Sequence, residues 1–233
     1  MKYWFEWNGV RCTANGIRLQ GMPSIQRPEE RVSHVVIPGR SGELTQTEGA
    51  DVYNSYIQTI PLIIDSEANV RAAEEWLRGD GYVTFSGQSD LKQRARVINS
   101  VQFRKHSRNS TYWEGEVQFY CQPLKEKTSE QAVEITTSGA TITNPGDVES
   151  RPLITITGSG DVTVRIGEKS LSITGAASGW KIDSDLEWVM NAGGTPQMGV
   201  YTGVFPTIPT GESAVQFTGS VTKLTIQGRW RYL

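Results

Sequence analysis

The stretch VVIPGRSGELTQTEGADVYNSYIQTIPLII, residues 35–64, sets two strand-like apolar runs on either side of a long polar excursion. Its left arm, His34–Ile37, is apolar and β-branched, and Pro38-Gly39 and Ser41-Gly42 are turn dipeptides, so the chain is expected to reverse there. The right arm, Tyr56–Ile64, carries Ile57, Ile60, Leu62, Ile63 and Ile64. Between the arms, Gly49–Ser55 is mostly polar and holds the turn formers Gly49, Asp51 and Asn54. The local reading is a hairpin with an extended tip. Polar excursions of this length between buried strands are either solvated loops or segments that grip something.

Upstream, Tyr3, Phe5 and Trp7 alternate with Lys2, Trp4 and Glu6, and Asn8-Gly9 is a strong type I′ turn signal, so residues 1–20 read as a hairpin returning along Val10–Leu19, interrupted by a second turn at Asn15-Gly16. Gly21–Glu30, with Pro23 and Pro28, reads as a loop. Downstream, SEANVRAAEEWLRG predicts a helix over Ser66–Arg78: Asp65 or Ser66 can cap its first amides, Glu67 suits its positive end, and Gly79 suits its exit. Val70, Ala73 and Leu77 form a stripe that would lie on a sheet. Arg78-Gly79-Asp80 spells an adhesion tripeptide, but it spans a helix end and reads as a turn.

Tyr82–Phe85 and Ala95–Ile98, with Val101 and Phe103, continue the strand pattern. Lys92, Arg94, Arg96, Arg104, Lys105 and Arg108 accompany them in a run without an acid. That run is a solvated strand face, a subunit contact or a charged lumen wall. Over Thr111–Cys121, Trp113, Val117, Phe119 and Cys121 alternate with Tyr112, Glu114, Glu116 and Gln118, the pattern of a half-buried antiparallel strand. Composition shifts near residue 128 toward Ser, Thr and Gly. Beyond it only short strands follow, punctuated by Gly158-Ser159-Gly160, Gly167, Gly175, Gly193-Gly194 and Gly211, as in a β-sandwich. The expected fold is mainly β: an α+β domain over 1–128, with antiparallel sheets, one helix and a hairpin arm, then a β-sandwich over 129–233.

The 233 residues carry a net charge of −2, with +1 through residue 127 and −3 beyond it, which gives no electrostatic reason for a dedicated nucleic-acid binder. Cys12 and Cys121 are too few for a disulfide framework or a four-cysteine metal site and read as buried small hydrophobes. No run is long enough to span a membrane and no secretion signal opens the chain, so synthesis in a bacterial cytoplasm is expected; Asn109-Ser110-Thr111 then reads as a turn rather than a glycosylation site. His34 and His106 lie in no nucleophile or metal-ligand spacing. Asp183-Ser184-Asp185 with Glu187 lacks the glycine and glutamate of a calcium loop and reads as a hairpin turn. No enzyme, metal or cofactor is expected.

Several segments, taken in order, resemble one family. PGRSGEL at 38–44, EEWLRG at 74–79, WKIDSDLEWVMNAGG at 180–194, YTGVFPTIPTGESAVQFTG at 201–219 and VTKLTIQGRWRYL at 221–233 are together similar to the distal tail (Dit) proteins of long-tailed siphophages. The resemblance implies a virion protein of the tail tip: a homo-hexameric ring built from the N-terminal domains, with galectin-like sandwiches standing outside it. It implies an arm, best matched by 35–60, that reaches the neighbouring subunit through Pro38, Gly39, Arg40, Ser41, Gly42, Glu43 and Leu44. It also implies tail-tube and receptor-binding proteins as partners, and DNA passing through without sequence-specific contact. The rival expectation is a carbohydrate-binding module that stacks host glycans on Trp180, Trp188 and Tyr201, although such aromatics more often plug a core.

Overall fold

The computed structural model describes residues 3–176 and 179–233. Contacts divide the chain into two compact units, residues 1–128 with Leu233, and 129–232. The fold is mainly β, and each unit has its own apolar core.

The N-terminal unit comprises β1 (Phe5–Trp7), β2 (Val10–Arg11), β3 (Ile17–Leu19), β4 (Val32–Val36), β5 (Glu43–Thr47), β6 (Tyr56–Ile64), α1 (Glu67–Trp76), β7 (Asp80–Phe85), β8 (Leu91–Val97), β9 (Phe103–Lys105) and β10 (Trp113–Lys127). The main sheet runs β2-β1-β7-β8-β10-β6-β3, with β9 also on β10. Its two outermost strands are separated in sequence only by the single 3-10 turn Cys12–Asn15 and its left-handed cap Gly16. Seven strands laid flat would span roughly 29 Å, whereas the few residues from Arg11 to Ile17 reach at most about 20 Å. The sheet must therefore curl until its edges approach, wrapping Phe5, Trp7, Val117 and Phe119 inside.

That closure overturns the expected return strand over Val10–Leu19. The Asn8-Gly9 turn forms and β2 pairs with β1, but for two residues only. Burial of Cys12 then draws the chain inward, and Ile17–Leu19 pairs with β6 instead. The helix lies where its stripe placed it. Ala73 and Leu77 are buried, Val70 packs on the core, and Trp76 stacks on Phe5 at 5.7 Å between ring centroids. Ser66 occupies the cap position without a side-chain cap bond.

The C-terminal unit comprises β11 (Val133–Ile135), β12 (Ala140–Asn144), β13 (Leu153–Ile166), β14 (Lys169–Ala176), β15 (Trp180–Asp183), β16 (Trp188–Asn191), β17 (Tyr201–Gly203) and β18 (Gly211–Gln227). Gly158-Ser159-Gly160, expected to be a turn, lies inside β13, and where only short strands were expected β18 runs unbroken over Gly211–Gln227. The two long strands pair along their length with irregularities at Thr157/Gly158 and Ser159/Thr163. One half of β13 meets β15 and the other meets β14. Both halves feed one core, through Ile154 and Ile156 on one side of the bend and Val162, Val164 and Ile166 on the other. Glycine is required at the bend by proximity. A Cβ on Gly158 would sit 2.3 Å from the Ser220 carbonyl oxygen, and one on Gly219, whose φ is +97°, would sit 2.1 Å from that of Asp161.

The end of the chain is held by charge. Asp183 is buried and receives both Arg229 guanidinium nitrogens, at 2.7 and 2.9 Å, while its Oδ1 also accepts the amides of Asp185 and Leu186 at 3.1 Å each. Glu130 accepts the amides of Arg229 and Trp230. Burial alone would raise the Asp183 carboxyl, but the guanidinium and the two amides outweigh it and hold the carboxyl below its usual range. A depressed folded-state value contributes stability above the unfolded value of about 4 and loses it as pH falls toward the folded one. The thermal midpoint should accordingly drop as pH is lowered from about 5 to 2. In Asp183→Asn the midpoint should start lower and show a shallower acid slope; an unchanged slope would contradict the assignment.

Candidate functional site

Among the described residues no three His, Cys, Asp or Glu side chains gather as a metal site, and no helix is long and apolar enough to cross a membrane. Both cysteines are free and buried, and burial pushes the Cys121 thiol up to about 12, far from reactive thiolate. His106 meets Glu114 at 3.1 Å and stacks on Tyr112; His34 faces Glu43 at 3.6 Å and Thr45 at 3.3 Å. Both imidazoles lie more than half exposed on the surface.

The outstanding feature is the arm. β4 and β5 pair only with each other, in the register Val32↔Thr47 to Val36↔Glu43, and form a separate two-stranded ribbon. This corrects the expected hairpin: the partner of the left arm is Glu43–Thr47, within what read as polar excursion, while Tyr56–Ile64 belongs to the main sheet between β10 and β3. The reason is burial. Gln58, Ile60, Leu62 and Ile64 face the core and hold β6 in the sheet, whereas β4 reaches no core. Pro38–Gly42 makes the tip, where Gly39 and Gly42 adopt φ of +81° and +83°. All seven residues from Pro38 to Leu44 are exposed.

Val35, Val36, Ile37 and Leu44 are exposed on this ribbon, with Val35 directly opposite Leu44. A lone two-stranded hairpin is marginally stable at best in water, and this one shows apolar side chains on strands with no further sheet to pair with. Its root is well tied. The Arg31 amide donates to the Val52 carbonyl, Glu48 to Arg31 and Asn54 to Glu29, and Arg31 Nε reaches Asn54 Oδ1 at 3.1 Å. Beneath the root, the buried Lys125 donates to the Gln26 carbonyl, and Gln58 to Ser24. The arm is thus anchored at its base and uncovered along its length.

In the C-terminal unit the three aromatics singled out for stacking have different surroundings. Trp180 is 5% exposed and part of the core, Tyr201 is half-buried edge-to-face with Phe205, and Trp188 is 48% exposed beside the exposed Leu186. Trp180 also edges a hollow of about 310 Å³ with Thr155, Thr157 and Lys181, and its indole N–H has no partner among the described residues.

No protein-family model matches the sequence, and no curated protein matches it. Among solved structures, the crystal structure of the Dit protein (gp 19.1) of SPP1, described as a paradigm of the hub adsorption apparatus in phages that infect Gram-positive hosts, matches with a TM-score of 0.79. The match covers 99% of this chain and 99% of that one at 16% identity. At that identity the shared property is the fold, and the chain has a Dit-like fold from end to end. The resemblance carried by PGRSGEL, EEWLRG and the C-terminal segments therefore holds at the level of fold.

Truncating Trp180 to alanine should open a core cavity and cost about 3–5 kcal/mol, while the same change at the exposed Trp188 should stay within about 0.5 kcal/mol. Denaturant unfolding of the two full-length variants measures both, and equal costs would contradict the placement of Trp180.

Proposed function

We propose that this chain is a structural hub protein of a phage tail tip: a homo-hexamer whose N-terminal units close a ring and whose C-terminal sandwiches offer a platform to other baseplate proteins. The observation that carries the reading is the correspondence along the whole chain with a protein described as part of a phage hub adsorption apparatus. The exposed ribbon supports it independently, because a segment anchored at its root that leaves Val35, Val36, Ile37 and Leu44 uncovered gains from a partner surface.

In this reading Pro38–Leu44 lies at the end of an assembly arm that grips the neighbouring subunit. The tail tube docks on the ring, receptor-binding proteins dock on the platform, and the virion tail tip is the site of action. DNA passes through without sequence-specific contact, and the protein catalyses nothing and carries no cofactor. A heterologous contact, in which the arm of one copy meets a different surface of the next, generates a ring when the rotation closes.

The rival reading, a glycan-binding module, draws on the exposed Trp188 and the half-buried Tyr201, since Trp180 serves the core. Binding of glycans by the full chain, lost in Trp188→Ala with stability unchanged, would favour it.

Deleting the whole ribbon, residues 32–47, and joining Arg31 to Glu48 through a short glycine linker should leave a folded protein that no longer forms rings, seen by light scattering after gel filtration alongside circular dichroism. Rings that persist unchanged would overturn the role of the arm.

A further inference from the structure

We propose that the hollow beside Trp180 in the C-terminal unit is a binding site for a small carboxylate carried on an apolar ring. The inference is independent of the arm, the ring and the hub reading, none of which uses this place.

The hollow forms where the pairing of β13 with β15 ends. Their register runs from Leu153↔Asp183 to Ile156↔Trp180, and just beyond it the Gly179 amide donates to the Gly158 carbonyl at 2.8 Å. Side chains with bulk are missing from this end for a backbone reason. A Cβ on Gly158 would sit 2.3 Å from the Ser220 carbonyl oxygen, and one on Gly179 would sit 2.9 Å from that of Ile156, so both positions require glycine. Ala192, the neighbour on the far side, adds only a methyl group. An open space of about 310 Å³ is left. A dry cavity of about 150 Å³ already accepts a benzene ring, so one substituted ring fits.

The lining has an apolar side and a polar side. Ile156 and the Trp180 indole, both core residues, make the first. Thr155, Thr157 and Lys181 make the second, with Lys181 directly opposite Thr155 across the strands. No Asp or Glu lines the space. Lys181 is half-buried, and among the described residues the ion pairs of this unit go to Lys169, Lys223, Arg229 and Arg231, which leaves the Lys181 ammonium without a carboxylate. Trp180 is 5% exposed, and its indole N–H has no hydrogen-bond partner among the described residues. A buried donor left unpaired is costly and calls for an acceptor.

One unpaired ammonium, one unpaired buried N–H and two hydroxyls bordering an apolar wall define the ligand by chemistry. It carries a negative charge and more than one acceptor oxygen, and its body is apolar. A carboxylate on a ring meets all three requirements. Free phosphate has no body to set against Ile156 and the indole, and a neutral sugar leaves the ammonium uncompensated while placing hydroxyls against Ile156.

Titration of the full-length protein with benzoate, followed by calorimetry, is the test. Benzoate should bind saturably, and glucose, a neutral ring of similar size, should bind at least about tenfold more weakly. Lys181→Gln should weaken benzoate about tenfold or more, while Lys181→Arg, which keeps the charge, should retain it. Ala192→Phe, which fills the space from its rim, should abolish binding, and the thermal midpoint of each variant checks that the sandwich is intact. In isotope-labelled protein one of the seven indole N–H resonances should move as benzoate saturates, the signature of an acceptor reaching Trp180. A titration into millimolar benzoate that moves no indole resonance, an affinity unchanged in Lys181→Gln, or glucose binding as tightly as benzoate would each overturn the site. None of these results bears on the hub reading, which is tested by assembly.

Discussion

The N-terminal unit depends on one strand. β10 runs for fifteen residues and pairs with β6 along one edge and with β8 and β9 along the other, so most of the curled sheet is registered against it. Its inward side chains, Val117, Phe119 and Cys121, meet Phe5, Trp7 and Phe85 in an aromatic core, with Phe119 touching all three rings at 5.2 to 6.3 Å. Its outward side chains point away from that core, and Tyr120 among them is exposed, so one alternation of side chains sets both faces of the sheet. The arm follows from the same constraint. Once β6 is committed to β10, the polar chain before it has no core to enter, and its strands can pair only with each other.

The C-terminal unit meets a different constraint, how to enclose a core with few strands. Two long strands cross between layers instead of ending, and the bend works because Gly158 and Gly219 let backbones approach where any side chain would collide with a carbonyl. The last residues are then fastened by Asp183 and Glu130, which bind Arg229 and the amides of 229 and 230. Burying a carboxylate is costly, and here a bidentate guanidinium and backbone amides offset that cost.

What could be read in the sequence followed burial. The alternation through Thr111–Cys121, the helical stripe of Val70, Ala73 and Leu77, and the Asn8-Gly9 turn each report a core contact or a fixed backbone geometry, and each is found. β5 was not legible, because Glu43–Thr47 is exposed throughout and an exposed strand leaves no apolar period to detect. Gly158 was misread because glycine serves both turns and close approaches, and only the opposing strand tells which. Arg229 and Asp183 lie 46 residues apart, and nothing local announces their pairing. For the basic run, sequence left solvent, subunit and lumen open. The structure adds that Arg94 and Arg96 are exposed and share their face with Tyr82, Tyr120, Ile57 and Ile98.

The ring is the claim on which the functional account stands, and the native mass of the full-length protein tests it most directly. Light scattering after gel filtration over a range of concentrations should give six times 25.8 kDa, or twice that for a stacked pair of rings. A mass of 25.8 kDa at every concentration would contradict it.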